Sequence, residues 1–227
     1  MKTPVNKRSL QLMKTYSWWK FAFIIIGAAV FWNLFFTVTA YRSPPHLKVD
    51  FYAATTGSEP AIREYLEHVH QTEMSDMEEM NFVFLTTESY YGDMQLSTYI
   101  AAQEGDVYML PAGQFQNYAA NGAMLPLEED AELLEYCRRA GIALDKGWRT
   151  NTDTHERHLY GIPADKLTGL QDRLYMGIAD RYLCVIVNNG NDENSFKLLR
   201  ILVRDMAPGA ATETDLAATG TDLSAAE

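Results

Sequence analysis

Between residues 47 and 122 the chain alternates three times between a short β-prone run and a helical pattern, and this restricts the fold more than any other feature of its 227 residues. "LKVDFYAA" (47–54) alternates and then runs apolar, which reads as a strand ending in the turn "TTGSEP". Ser58 follows at a helix-capping position with Pro60 in the first turn. Ile62, Tyr65, Leu66 and Val69 then recur at helical spacing and make one apolar face. "MNFVFLTT" (80–87) reads as a second strand and "YYGDMQLSTYIAAQEG" as a second helix closed by Gly105. "DVYML" is a third strand and "GQFQNYAANG" a third helix, separated by a loop over 111–115. Parallel strands need a crossover, which a helix supplies. The pattern therefore predicts right-handed βαβ units and an α/β lobe with one parallel or mixed sheet.

Beyond Gly122 the pattern blurs. "LPLEEDAELLEYCRRAG" reads as a helix with Leu133 and Leu134 inward, and "WRTNTDTHERH" as polar loop. "LYGIPAD" (159–165) and "RLYMGIADRYLCVIVNN" predict two or three further strands. Asn188 to Asn194 is a turn, and "SFKLLRILVRDM" a closing amphipathic helix that buries Phe196, Leu199, Ile201 and Leu202. Residues 207–227 hold no basic residue and little bulk. They have too little apolar surface to offset ordering entropy, so this acidic tail is expected to be disordered.

The formal net charge is −11, but the first 42 residues carry six basic and no acidic side chains, which leaves −17 on the remainder. So acidic a globular part repels phosphate at long range and excludes nucleic-acid binding. Residues 21–41, "FAFIIIGAAVFWNLFFTVTAY", are uncharged and reach about 30 Å as a helix, the thickness of a bilayer core. Trp18, Trp19 and Tyr41 flank the run as interfacial aromatics do. The expected order is a basic cytoplasmic leader (1–20), a transmembrane anchor (21–41), an extracellular α/β lobe (42–206) and the tail, in the cell membrane with the N-terminus inside. Val38-Thr39-Ala40 resembles a signal-peptidase site, so cleavage is the alternative. The run exceeds the ~7–15 residues of a signal core, which favours a retained anchor.

Cys137 and Cys184 fit no disulfide framework and read as separately buried thiols. Met74, Met77 and Met80 read as core fillers. His155 and His158 lack a third ligand for a metal site. With no nucleophile elbow, no cysteine–histidine neighbourhood and no phosphate-cradling glycine loop, neither an enzyme nor a cofactor is expected.

"AAQEGDVYMLPAGQFQNYAANGAMLPLEED" resembles the first lobe of extracellular solute-binding proteins of carbohydrate ABC transporters, through Gly105, Asp106, Val107, Gly122, Leu125, Pro126 and Leu127. "LYGIPAD" is similar to the family's hinge strand, and "CVIVNNGNDENSFKLLRILV" to its late strand, turn and helix. The resemblance spans residues 47–206 and implies one lobe of a periplasmic-binding-protein fold. It departs from the family in two ways. Between Pro163 and Leu183 there is no space for the second lobe, and Gly113-Gln114 stand where the maltose-binding type carries a charged pair.

In a parallel sheet, ligands bind beyond the carboxyl ends of the strands. The loops there are 55–57, 88–91 and 111–115. Tyr90, Tyr91 and Phe115 offer faces for a sugar ring, and Thr55, Thr56 and Gln114 offer hydrogen bonds. The resemblance implies a sugar or oligosaccharide as solute and ABC permease subunits as partners. A ligand-free docking module and a truncated non-functional relative are the alternatives.

Overall fold

The computed structural model describes residues 18–39, 43–85, 90–187 and 190–208, with the side chain of Tyr90 excepted. The basic leader up to residue 17, Tyr41, the expected Glu88-Ser89 corner and the acidic tail from 209 lie outside the described residues. Two compact units divide between Arg42 and Ser43. The first contains helix α1 (Trp18–Thr39), with no buried residue, and it is the one helix among those described that is long and apolar enough to cross a membrane.

The second unit is a mixed α/β lobe. Strands β1 (Lys48–Ala53), β2 (Glu79–Phe84) and β3 (Val107–Pro111) are joined by helices α2 (Glu59–Thr72) and α3 (Tyr90–Ala101), as the alternation predicts. Helices α4 (Ala112–Ala120) and α5 (Ala131–Arg139) follow, then the hairpin strands β4 (Trp148–Thr150) and β5 (Arg157–Leu159). Strand β6 (Ile162–Pro163), helix α6 (Thr168–Asp172), strand β7 (Arg181–Val185) and helix α7 (Asp192–Met206) complete it. The sheet order is β2-β1-β3-β7-β6, with β1 parallel to both β2 and β3, and β7 antiparallel to β3 and β6.

Both faces of the central strands are covered, which is why "VYML" reads as an unbroken apolar run. Val49, Phe51, Val107, Met109, Leu183 and Val185 face one core with α2, α5 and α7. Tyr52, Tyr108, Leu110, Tyr182 and Cys184 face the other with α3 and α4. Tyr52 stacks on Tyr108 at 5.0 Å, and Gly105 (φ 82) turns the chain beside them, where a Cβ would lie 2.6 Å from the Tyr52 ring. Any other residue there meets both a left-handed backbone and an occupied volume. Met74 and Met77 fill the core, and both cysteines are buried and free.

Three expectations are corrected. No loop follows β3, because Pro111 ends the strand and Ala112 already begins α4. Residues 173–180 form no strand, so the described stretch 173–187 yields β7, and Ile186 adds an isolated bridge to Met124. "WRTNTDTHERH" is not loop throughout but supplies most of the β4–β5 hairpin. The Asn151 carboxamide accepts the Asp153 and Thr154 N–H groups and makes the turn, an Asx arrangement that polar composition disguises.

The hairpin is fastened to the segment before α5 by His158 Nδ1, which bonds Glu128, and by the Leu159 N–H, which donates to the other Glu128 oxygen at 3.0 Å. The Glu128 bond raises His158 above its ordinary 6.5. Burial pushes Glu128 up, but the bonds from His158 and the backbone outweigh it and hold it below 4.5. The histidine's contribution is complete below pH 6.5 and is lost as pH rises through the raised value. The glutamate's is complete above pH 4.5 and is lost as pH falls through the lowered value. Thermal unfolding of His158→Gln beside the parent should show the largest difference between pH 4.5 and 6.5. By about pH 8 the difference should have shrunk; a pH-independent difference contradicts this pairing.

Candidate functional site at the carboxyl edge of the sheet

β1, β2 and β3 run the same way, so their carboxyl ends share one edge of the sheet. The antiparallel β7 starts at that edge, and β6 ends there. Four chain segments therefore converge: residues 54–58 after β1, the start of α3, the β3–α4 junction, and residues 174–181 leading into β7. The crossover helices bring this about, since each returns the chain to the amino ends of the strands.

Of the predicted contact residues, Gln114 lies in the first turn of α4, and its Nε2 donates to Asp93 Oδ1 of α3 at 2.6 Å. Its Oε1 is shielded from solvent and has no protein donor. Tyr91, two residues before Asp93, is 76% exposed, and Tyr90 begins the same helix. Thr56 is exposed, and Thr55 is half-buried with its Oγ1 donating to the Gly177 carbonyl at 2.8 Å. Gln114 and Tyr91 are thus gathered on α3 and α4, while Thr55 and Thr56 lie against residues 174–181.

Phe115 is placed elsewhere. Its ring is fully buried and stacks on Tyr182 at 4.4 Å with 6° between planes, and the Arg149 guanidinium stands 5.5 Å from its centroid. Exposing that ring to a ligand would forfeit about 2–3 kcal/mol of burial, more than a stacked sugar contact returns. The helical start at Ala112 explains the change. One residue beyond Gln114, the side chain is rotated about 100° around the helix, away from the edge and into the core.

Sequence reasoning missed Asp93, Asp165, Asp180 and Arg181. Arg181 Nε donates to the Ala54 carbonyl at 3.1 Å, and the Asp180 N–H donates to Asp165 Oδ1 at 3.3 Å. Asp93 was legible only as an acid in the first turn of a helix, where the helix dipole favours it for stability alone. Among the described residues no group of histidine, cysteine and carboxylate side chains is arranged to hold a metal ion.

No protein-family model and no curated protein matches the sequence. Among solved structures, the chain is similar to an extracellular solute-binding protein family 1 member from Alicyclobacillus acidocaldarius subsp. acidocaldarius DSM 446, at 20% identity over 54% of this chain, with a TM-score of 0.37. It is also similar to the apo form of RafE from Streptococcus pneumoniae, at 12% identity over 54% of this chain, with a TM-score of 0.32. In both cases the overlap spans 29% of the other chain. Overlap of this extent transfers no ligand.

Phe115→Ala should cost about 3–5 kcal/mol of stability, read by chemical denaturation, because it empties a stacked core site. A variant as stable as the parent would show the ring to be free for other contacts.

Proposed function

We propose that residues 43–208 form an exported, membrane-tethered, non-enzymatic binding lobe that presents its carboxyl edge to a sugar-like solute and hands it to an ABC permease. The observation that carries this reading is the Asp93–Gln114 pair at the starts of two helices, with an unpartnered Gln114 oxygen and the exposed Tyr91 ring two residues from Asp93. A polyol supplies the hydroxyl donors that such acceptors lack and the flat apolar face that a tyrosine takes. Thr56 and Tyr90 extend the same edge. A single lobe covers a solute on one side only, so desolvation is incomplete and the affinity expected is modest. The anchor reading of α1 follows from the uncharged run that begins at Phe21 and from the six basic residues in the first 42.

Isothermal titration against a panel of oligosaccharides should give saturable heat with at least one. Gln114→Leu should then weaken binding about tenfold, the worth of one hydrogen bond. No heat from any oligosaccharide removes the solute-binding role.

A second reading, a docking module without solute, is favoured by one observation: residues 174–181 already bond the tips of β1 and β3. A membrane-impermeant, lysine-reactive crosslinker applied to intact cells should join the lobe to a transporter subunit. Reaction only after lysis would place the lobe inside the cell, and crosslinks to no transporter subunit would count against docking.

A further inference from the structure

Alternation along β1 puts Lys48, Asp50 and Tyr52 on the same face of the sheet. Together with the α3–β3 connection (102–106) and the entering segment near Pro45, they line a cavity of about 420 Å³, a volume in the range of small-molecule sites. Asp50, Tyr52, Asp106 and Asn191 are its buried floor, while Pro45, Ala102 and Glu104 stand exposed at its rim. It shares no residue with the contacts at the carboxyl edge.

The Tyr52 hydroxyl points to a ligand here. Tyr52 is 7% exposed, and its ring packs against Tyr99 at 5.2 Å and Tyr108 at 5.0 Å. The neighbouring Tyr108 hydroxyl is satisfied, donating to the Glu104 carbonyl at 2.6 Å. The Tyr52 hydroxyl bonds no group among the described residues and opens on the cavity. A hydroxyl buried without a partner costs free energy that a ligand bond restores.

The surrounding charges define what that ligand is. Asp50 bonds Lys48 Nζ at 2.7 Å and Asn81 at 3.0 Å, and Asp106 accepts from the Asp50 N–H, Asn191 and Ser195. Asp50, Asp106 and Glu104 thus face one ammonium, that of Lys48, which leaves the cavity with a surplus of two negative charges. Burial raises the pKa of the Tyr52 hydroxyl, and Asp50, Glu104 and Asp106 raise it further. Burial pulls Lys48 down, yet Asp50, Glu79 and Asp106 outweigh it and raise it. Two unlike groups therefore register one negative field, which low-dielectric walls concentrate. With no metal-holding group of side chains among the described residues, a cation fitting this space is organic.

We propose that this cavity is a second binding site, for short aliphatic diammonium ions. One ammonium group donates to the Tyr52 hydroxyl and the Glu104 carboxylate, and the other lies in the field of Asp50 and Asp106. The methylenes between them run past Ala102 and Pro45. The site is independent of the solute reading, whose contacts lie on α3 and α4 at the other end of the strands.

Isothermal titration of the full-length protein in detergent micelles with 1,4-diaminobutane tests this, in about 0.15 M salt so that exposed carboxylates are screened. Saturable heat is expected from the diamine and none from 1,4-butanediol, which has the same chain and no charge. Tyr52→Phe keeps the stacked ring and removes the hydroxyl, and it should weaken diamine binding about tenfold. Gln114→Leu at the carboxyl edge should leave diamine binding unchanged, so the two sites fail separately. No saturable heat, or an affinity unchanged in Tyr52→Phe, overturns the proposal. Equal heat from butanediol overturns it too, as does full displacement of the diamine by an equal concentration of calcium chloride, the mark of a metal site. If the circular dichroism of Tyr52→Phe departs from the parent's, Glu104→Gln at the exposed rim decides instead: about tenfold weaker binding supports the site, and unchanged binding overturns it.

Discussion

A buried carboxylate, Asp106, holds the amino end of the sheet together. It is 6% exposed, and its Oδ2 accepts the Asp50 N–H at 2.7 Å while its Oδ1 accepts from the Asn191 amide and the Ser195 hydroxyl. Those partners belong to β1, to the residue before α7 and to α7 itself, and Asp106 directly precedes β3. Burial raises its pKa, which marks the cost of keeping a charge there, and the three bonds offset that cost. Removing the carboxylate would take away the acceptor shared by the Asp50 N–H, Asn191 and Ser195, and a buried donor left unsatisfied costs about 1–3 kcal/mol. The strands can share a register, and so share a carboxyl edge, because their amino ends are pinned at this point.

The same cluster receives the incoming chain. Asn191 also donates to the Lys48 carbonyl, Asn194 to the His46 carbonyl, and Ser43 to Glu79. The segment that enters the lobe is therefore fixed at the amino ends of the strands. Polar groups at the carboxyl edge are left to the helix starts and to residues 174–181. One end of the sheet is closed by a satisfied polar network, and the other carries an unpartnered carboxamide oxygen and an exposed tyrosine.

The connection between β6 and β7 helps to build the core: Leu167, Leu170, Leu174, Met176 and Ile178 enter the same core as α2 and α7. The backbone that carries them passes across the tips of β1 and β3. Core completion and occupation of the edge are consequences of one segment.

Periodicity alone determined the three strand–helix units, because an apolar run buried on both faces and an amphipathic helix leave different repeats in the chain. The sequence also determined the long apolar helix and the core roles of Ile62, Leu66, Val69 and Leu133. It could not determine which way Phe115 points. Pro111 and Gly113 suggested a loop, whereas helix α4 starts one residue after Pro111 and turns that ring onto Tyr182. The hairpin at Asn151 was hidden because its order comes from side-chain bonds to the backbone rather than from apolar spacing. The meeting of Asp93 with Gln114, and of Thr55 with Gly177, joins residues 21 and 122 positions apart. Local propensity decides the elements because its forces act over a few residues; only packing the layers decides which distant side chains become neighbours.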